Sequence, residues 1–256
     1  MTGVQTCALP IFFDILAWLS AAAMALFIAR WRPLNFPVAP AMRQSYLAAL
    51  VFGAGVGAYV FGTLNLWASG QEGLARSIEG ALFGGIVGVE GYKRAAGLVA
   101  RTGARYAAPL AIGVTVGRIG CFLAGLEDFT YGTPTTLPWG YDFGDGITRH
   151  PVQLYESAAM AAFLGVYLVA LARKSAFIAT NGFYLAVLWY GLQRFIWEFL
   201  KPYGPVLGPL TVFHLLSLAL AIYAIAMLRS DWRLLDRSEE HTSELQSHSF
   251  ISYAVF

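Results

Sequence analysis

Five ionisable residues, Glu79, Arg118, Glu156, Arg194 and Glu198, stand inside or at the ends of long apolar runs. A charge in such a run costs at least about 2.5–3.5 kcal/mol on insertion scales, so each one calls for a functional explanation. Arg118 is the deepest, roughly 12 Å from the nearer end of its run at 1.5 Å per residue. Arg194 and Glu198 are four residues apart and therefore share one helix face. Convergent arginines suit a phosphate, because the guanidinium fork binds it bidentately and stays charged when desolvated. At that depth the expected phosphate is that of a lipid. The competing explanation is a set of buried ion pairs that hold helices together. It accounts for Glu79 and Glu198 but poorly for Arg118, whose own run offers no acidic residue at helical spacing. Glu90, followed by Lys93 and Arg94, reads as a local interfacial pair.

The elements that carry these charges are membrane helices. The 256-residue chain is 57% hydrophobic and 12% charged, with a mean hydropathy of +0.59, which excludes a disordered chain and argues against a water-soluble globule. Seven apolar segments are expected as spans: 12–29, 46–67, 75–91, 106–125, 151–171, 181–200 and 207–228. The predicted fold is therefore an all-α polytopic bundle, a single domain over residues 12–236. Small-residue spacings such as Gly84/Gly88 and Gly113/Gly117 read as helix-packing surfaces. With the N-terminus outside, the inner connections hold Arg30, Arg32, Arg43, Lys93, Arg94, Arg101, Arg105, Arg173, Lys174, Arg229, Arg233 and Arg237. The outer ones hold only Arg76, Arg149 and Lys201. That bias puts the C-terminus inside and the long 126–150 loop outside. A net charge of +2 without a basic aromatic stretch gives no reason to expect nucleic acid. Cys7 and Cys121 form neither a disulfide framework nor a metal-ligand spacing.

Two strings bracket the outer loop, GRIGCFLAG at 117–125 and RHPVQLYES at 149–157, and a third, RFIWEFLK, spans 194–201. Together, in this order and with seven spans, they resemble the prolipoprotein diacylglyceryl transferase family, whose members move a diacylglyceryl group from phosphatidylglycerol to a lipoprotein cysteine. The resemblance implies a lipid-binding role for Arg118 in its GR-x-G string, with Gly117 and Gly120 beside it. It matches Arg194 and Glu198 to an R-x-x-x-E-F string, and His150, Pro151, Gln153, Leu154, Tyr155 and Glu156 to H-P-x-Q-L-Y-E. It also implies phosphatidylglycerol and the lipobox cysteine of a prolipoprotein signal peptide as partners, no metal or organic cofactor, and an active site at the outer face of the bacterial cytoplasmic membrane.

The departures fall on other positions. The family's GRxGNF with N-x-E becomes Cys121, Ala124 and Leu126, unless Glu127 substitutes one place later, and its H-G-G-L string is absent, Glu79 or Phe83 standing nearest its histidine. Such a transferase must raise the thiolate fraction of the incoming cysteine and stabilise the departing phosphate. Arg118 and Arg194 are expected on the phosphate, with Glu198 orienting Arg194 and Gln153, Tyr155 and Glu156 lining the substrate. His150 is the expected base, as the histidine on the outer side, since His214 falls within the seventh span; Glu79 is its rival. Packing is the expected role of Cys121. The acidic, Gly- and Pro-bearing outer loop is long enough to cover a lipid and peptide site.

A second class of function follows from the same departures: a non-catalytic phospholipid-binding relative, acting as scaffold or carrier, that keeps the arginines and lacks the acid–base groups. A small-molecule transporter is disfavoured, because no pair of corresponding broken helices is visible. The ends, residues 1–11 and 238–256, resemble translated sequencing-adapter DNA and are set aside as non-native.

Overall fold

The computed structural model describes residues 4–230. Seven long helices dominate it: α1 Val4–Trp31, α2 Arg43–Ala68, α3 Ile78–Ala95, α4 Ala107–Ala124, α5 Val152–Ala172, α6 Ala176–Glu198 and α7 Val212–Ser230. Each expected span is thus a helix, with shifted ends. Five, in α1, α2, α4, α5 and α7, are long and apolar enough to cross a membrane by length and composition. α3 and α6 are the two that carry Glu79, Glu90, Lys93 and Arg94, and Arg194 and Glu198. The segment set aside at 238–256 and residues 1–3 lie outside the described residues, whereas α1 already begins at Val4.

Local chemistry fixes several helix ends. Ser77 caps α3 by accepting from the Gly80 amide at 3.1 Å, and Ser175 caps α6 by accepting from Ile178 at 3.4 Å. The expected start of the seventh span at 207 is displaced to 212, because Leu207–Leu210 close on each other in a tight turn. This five-residue shift moves His214 into the first turn of α7.

Packing follows the small residues. α2 and α3 meet through Gly53, Gly57, Gly80, Gly84 and Gly88, where an added Cβ would collide with the facing backbone, so both main chains approach as closely as small-residue interfaces in lipid permit. α4 packs against α1 and α5, and Ser157 of α5 donates to the Thr115 carbonyl of α4 at 2.8 Å. The core between α4, α5, α6 and α7 is apolar, with Ala107, Val114, Met160, Val187, Tyr190 and Leu220 buried. Bulky apolar side chains such as Phe52 and Val166 point outward, as a lipid-facing surface requires.

The 126–150 loop carries a two-stranded hairpin, β1 Tyr141–Asp142 with β2 Thr148–Arg149, which its polar and Gly-rich composition did not suggest. Asp142 accepts from the amides of Gly144, Asp145 and Gly146, and Arg149 grips Asp145 with two bonds of 2.7 Å. The guanidinium holds the Asp145 carboxyl below its usual range.

Candidate active site

The sequence-predicted charges converge. Glu79 from the start of α3, Arg118 from α4, Glu156 from the first turns of α5, and Arg194 and Glu198 from the last turns of α6 form one buried network at the end of the bundle that carries the hairpin loop. Arg194 sits at its centre and distributes its fork among three carboxylates: Nε to Glu79 at 3.2 Å, Nη1 to Glu156 at 2.5 Å and Nη2 to Glu198 at 2.9 Å. A planar five-donor group can do this and a point charge cannot. Glu156 is paired in addition with the Nε of Arg118, and Ser217 of α7 donates to the second oxygen of Glu79 at 2.5 Å.

A sixth member was missed. Lys201, three residues past α6 and read from sequence as an ordinary outer-loop cation, is buried, with Nζ 2.7 Å from Glu156. Burial and the nearby Arg194 push its ammonium down to about 8, against the pull of Glu156. Three cations and three carboxylates therefore balance, which is what makes so dense a charged cluster tolerable away from water. Arg118 keeps donor capacity beyond these pairs. Its two terminal nitrogens hydrogen-bond to no carboxylate among the described residues, and Nη1 has only the Cys121 sulfur at 3.9 Å. Gln153, one turn before Glu156, is fully buried with both amide atoms unpartnered, and so is the amide of Gln193 beside Arg194. Buried amides without partners are rare in folded chains and mark polar sites that the protein alone does not satisfy.

The other expected residues lie elsewhere. His150 Nδ1 is 3.4 Å from the Tyr155 hydroxyl, which also accepts from Trp139 Nε1 of the hairpin loop at 2.9 Å, and the Tyr155 ring packs on Trp197. Among the described residues no hydrogen bond or ion pair joins His150 to the charged network. Gly117 and Gly120 face α1, a Cβ on Gly120 colliding with Phe13. Of the two residues standing nearest the absent histidine, Glu79 belongs to the network and Phe83 packs on Phe61. Glu127 is exposed in the turn after α4. No group of three or more metal-binding side chains occurs among the described residues.

His214 is the second residue that sequence reasoning set aside and the structure brings in. It is buried against Phe195 and Phe199, and its Nδ1 lies 3.1 Å from both the amide and the hydroxyl of Thr211. Thr211 donates its hydroxyl to Glu198 Oε1 at 2.7 Å. The T-x-x-H spacing before an apolar run was the available signal, a variant of the S/T-x-x-E/Q capping box.

The family model for prolipoprotein diacylglyceryl transferase matches residues 12–230. Curated relatives named phosphatidylglycerol–prolipoprotein diacylglyceryl transferase include one from Methylococcus capsulatus, 30% identical over 74% of this chain and 79% of its own. Another, from Methylocella silvestris, is 35% identical over 66% and 62%. A third, from a Wolbachia of Brugia malayi, is 36% identical over 46% and 48%, so the alignment spans about half the length of that relative.

Proposed function

The chain belongs to the prolipoprotein diacylglyceryl transferase family, and from that premise we propose that it transfers the diacylglyceryl group of phosphatidylglycerol to the thiol of a prolipoprotein cysteine. The observation that carries the reading is the buried Arg118, held through Nε by Glu156 with its terminal nitrogens unclaimed by any carboxylate among the described residues. In this reading the cysteine sulfur attacks the glycerol carbon that bears the phosphate. The new C–S bond replaces the C–O bond, glycerol phosphate departs with the electron pair, and the thiol proton passes to a base. Arg118 meets the phosphate as charge develops on it. Arg194 is spent on three carboxylates and serves chiefly to fix Glu156, Glu79 and Glu198, a narrower role than the direct phosphate contact the sequence suggested. Gln153 offers its unpartnered amide to the glycerol or phosphate oxygens.

His150, with Tyr155 beside it, remains the proposed base, and Glu79 is the weaker candidate because both of its oxygens are engaged. Gly117 and Gly120 support Arg118 by setting α4 against α1. The protein acts from the bacterial cytoplasmic membrane with the charged end of the bundle towards the periplasm, taking its lipid from the bilayer and its peptide from a prolipoprotein signal sequence. No metal or organic cofactor enters the reaction as written.

The substituted positions Cys121, Ala124 and Leu126 favour one second reading, a relative that binds phospholipid without transferring it. One experiment separates the two. The resident transferase of a bacterial host is depleted, this protein is expressed in its place, and a prolipoprotein is followed by mass. A mass gain of one diacylglyceryl group that Arg118→Ala abolishes supports the transferase. Phosphatidylglycerol binding by a folded, inserted protein without any mass gain supports the binding relative.

A further inference from the structure

We propose that His214 is a positioning residue for the transfer reaction, holding the Glu198–Arg194 pair in place through Thr211 in a way that its own protonation undoes. The inference rests on the reading of the charged network as a transferase site. Neither the sequence strings nor the resemblance assigns His214 or Thr211 a role.

The geometry has the form of a capping box. Thr211 precedes α7, its hydroxyl oxygen receives the His214 amide at 3.4 Å, and the His214 side chain reaches back to receive the Thr211 amide on Nδ1 at 3.1 Å. In a capping box the reaching residue is Glu or Gln; here it is an imidazole. Because Nδ1 accepts a main-chain N–H, the neutral ring carries its proton on Nε2, which is buried and unpartnered among the described residues. The Thr211 hydroxyl hydrogen is thereby left for Glu198 Oε1, at 2.7 Å, while the other oxygen of Glu198 holds Arg194 Nη2 at 2.9 Å. A chain of three contacts therefore links the imidazole to the centre of the network.

Protonation of His214 places a hydrogen on Nδ1, where it faces the Thr211 N–H. Two donors then oppose each other and the box opens. The charged groups around it are Arg194 and Glu198 on α6, Glu79 on α3, Glu156 on α5 and Lys201 after α6. The acceptor role of Nδ1 toward the Thr211 N–H gives the ring its reason to stay neutral in the working state. Glutamine can close the same box through its amide oxygen without titrating, which separates the proposed role from simple helix capping.

The test uses the full chain in phosphatidylglycerol vesicles with a cysteine-bearing prolipoprotein peptide, and transfer is measured from pH 5 to 8 for the wild type, His214→Gln, His214→Ala and Thr211→Val, on the order of the window in which imidazoles titrate. The expected result is an acid limb in the wild-type rate that His214→Gln moves to lower pH without abolishing it, since the base of the reaction must still be unprotonated, while the plateau stays within about threefold. His214→Ala and Thr211→Val are expected to lower kcat by about tenfold or more with little change in KM. An acid limb that persists unaltered in His214→Gln, or a Thr211→Val enzyme of wild-type rate, overturns the proposal. A readout independent of transfer is the nitrogen NMR spectrum of the histidine-labelled protein, with the His214 signals identified by their loss in His214→Gln. Nε2–H imidazole with an accepting Nδ1, perturbed by both Thr211→Val and Glu198→Gln, supports the linkage even if the chain proves to bind lipid only; signals indifferent to both changes refute it.

Discussion

At the scale of single residues, Arg194 carries the strongest expectation. Its guanidinium reaches Glu79, Glu156 and Glu198 from three different nitrogens, and lysine has one compact ammonium with which to replace them. Arg194→Lys is therefore expected to fail almost as completely as Arg194→Ala, with transfer lost and unfolding in detergent eased by about 3–5 kcal/mol, the usual cost of unpairing a buried charge. Near-wild-type melting and activity in Arg194→Lys would show that its charge matters and its fork does not. Lys201 gives the pH dependence. Its ammonium is held at about 8, below the ordinary 10.5, so as pH rises through about 8 the folded protein loses a proton that the unfolded chain keeps. Between the two values the Lys201 contribution to stability rises with pH. Transfer should move the other way, because the cation paired with Glu156 disappears. A pH–rate profile is expected to fall above about 8 in the wild type and to hold to higher pH in Lys201→Arg, which does not deprotonate there. Lys201 was not legible in the sequence, and His214 was legible only as a T-x-x-H spacing. Lys201 looked like any loop cation because its burial is made by the turn after α6, and His214 looked like mid-span ballast because the start of α7 is set by the Leu207–Leu210 turn.

At the scale of elements, legibility followed the source of each signal. The seven helices were readable because apolar runs report directly on burial in lipid, and Arg118, Glu156, Arg194, Glu79 and Glu198 were readable as one group because intramembrane charges are too costly to stand alone. The pairings among them were not, since three carboxylates and two arginines admit many partners until α3, α4, α5 and α6 are brought together. The hairpin Tyr141–Arg149 was hidden for a different reason: two-residue strands leave almost no alternation to detect. The tight α2–α3 contact has a consequence for the site, because α3 presents Glu79 to Arg194. A methyl group on Gly84 would collide with the Gly53 carbonyl, whereas one on Gly55 meets nothing within 4 Å. Gly84→Ala is expected to push α3 away from α2, lower stability by about 1–3 kcal/mol as overpacking does, and reduce transfer through Glu79. Gly55→Ala should leave both within experimental error or raise stability slightly, since alanine is the better helix former. Thermal unfolding in detergent and the transfer rate, measured on the two variants together, check the pair; equal behaviour would remove the close approach as a cause.

At the scale of the whole molecule, the two ends of the bundle are chemically unlike. One end gathers Glu79, Glu156, Glu198, Lys201 and the capping box of α7 under the hairpin loop. The other presents Arg30, Arg32, Lys93, Arg94, Arg173, Lys174 and Arg229, a basic surplus of the kind that membrane insertion keeps on the cytoplasmic side. If that surplus orients the chain, the charged network must open to the periplasm, the side on which a secreted prolipoprotein presents its cysteine. The expectation is tested with single-cysteine proteins in which Cys7 and Cys121 are first replaced by alanine. A cysteine introduced at the exposed Thr136 of the outer loop should react with a membrane-impermeant maleimide in spheroplasts. One at the exposed Ala96, after α3, should react only after the membrane is permeabilised. The reverse pattern would place the network on the cytoplasmic side. It would then separate Arg118 from the outer-leaflet phosphate to which the proposed reaction assigns it, and the transferase reading would fail on topology even with every ion pair intact.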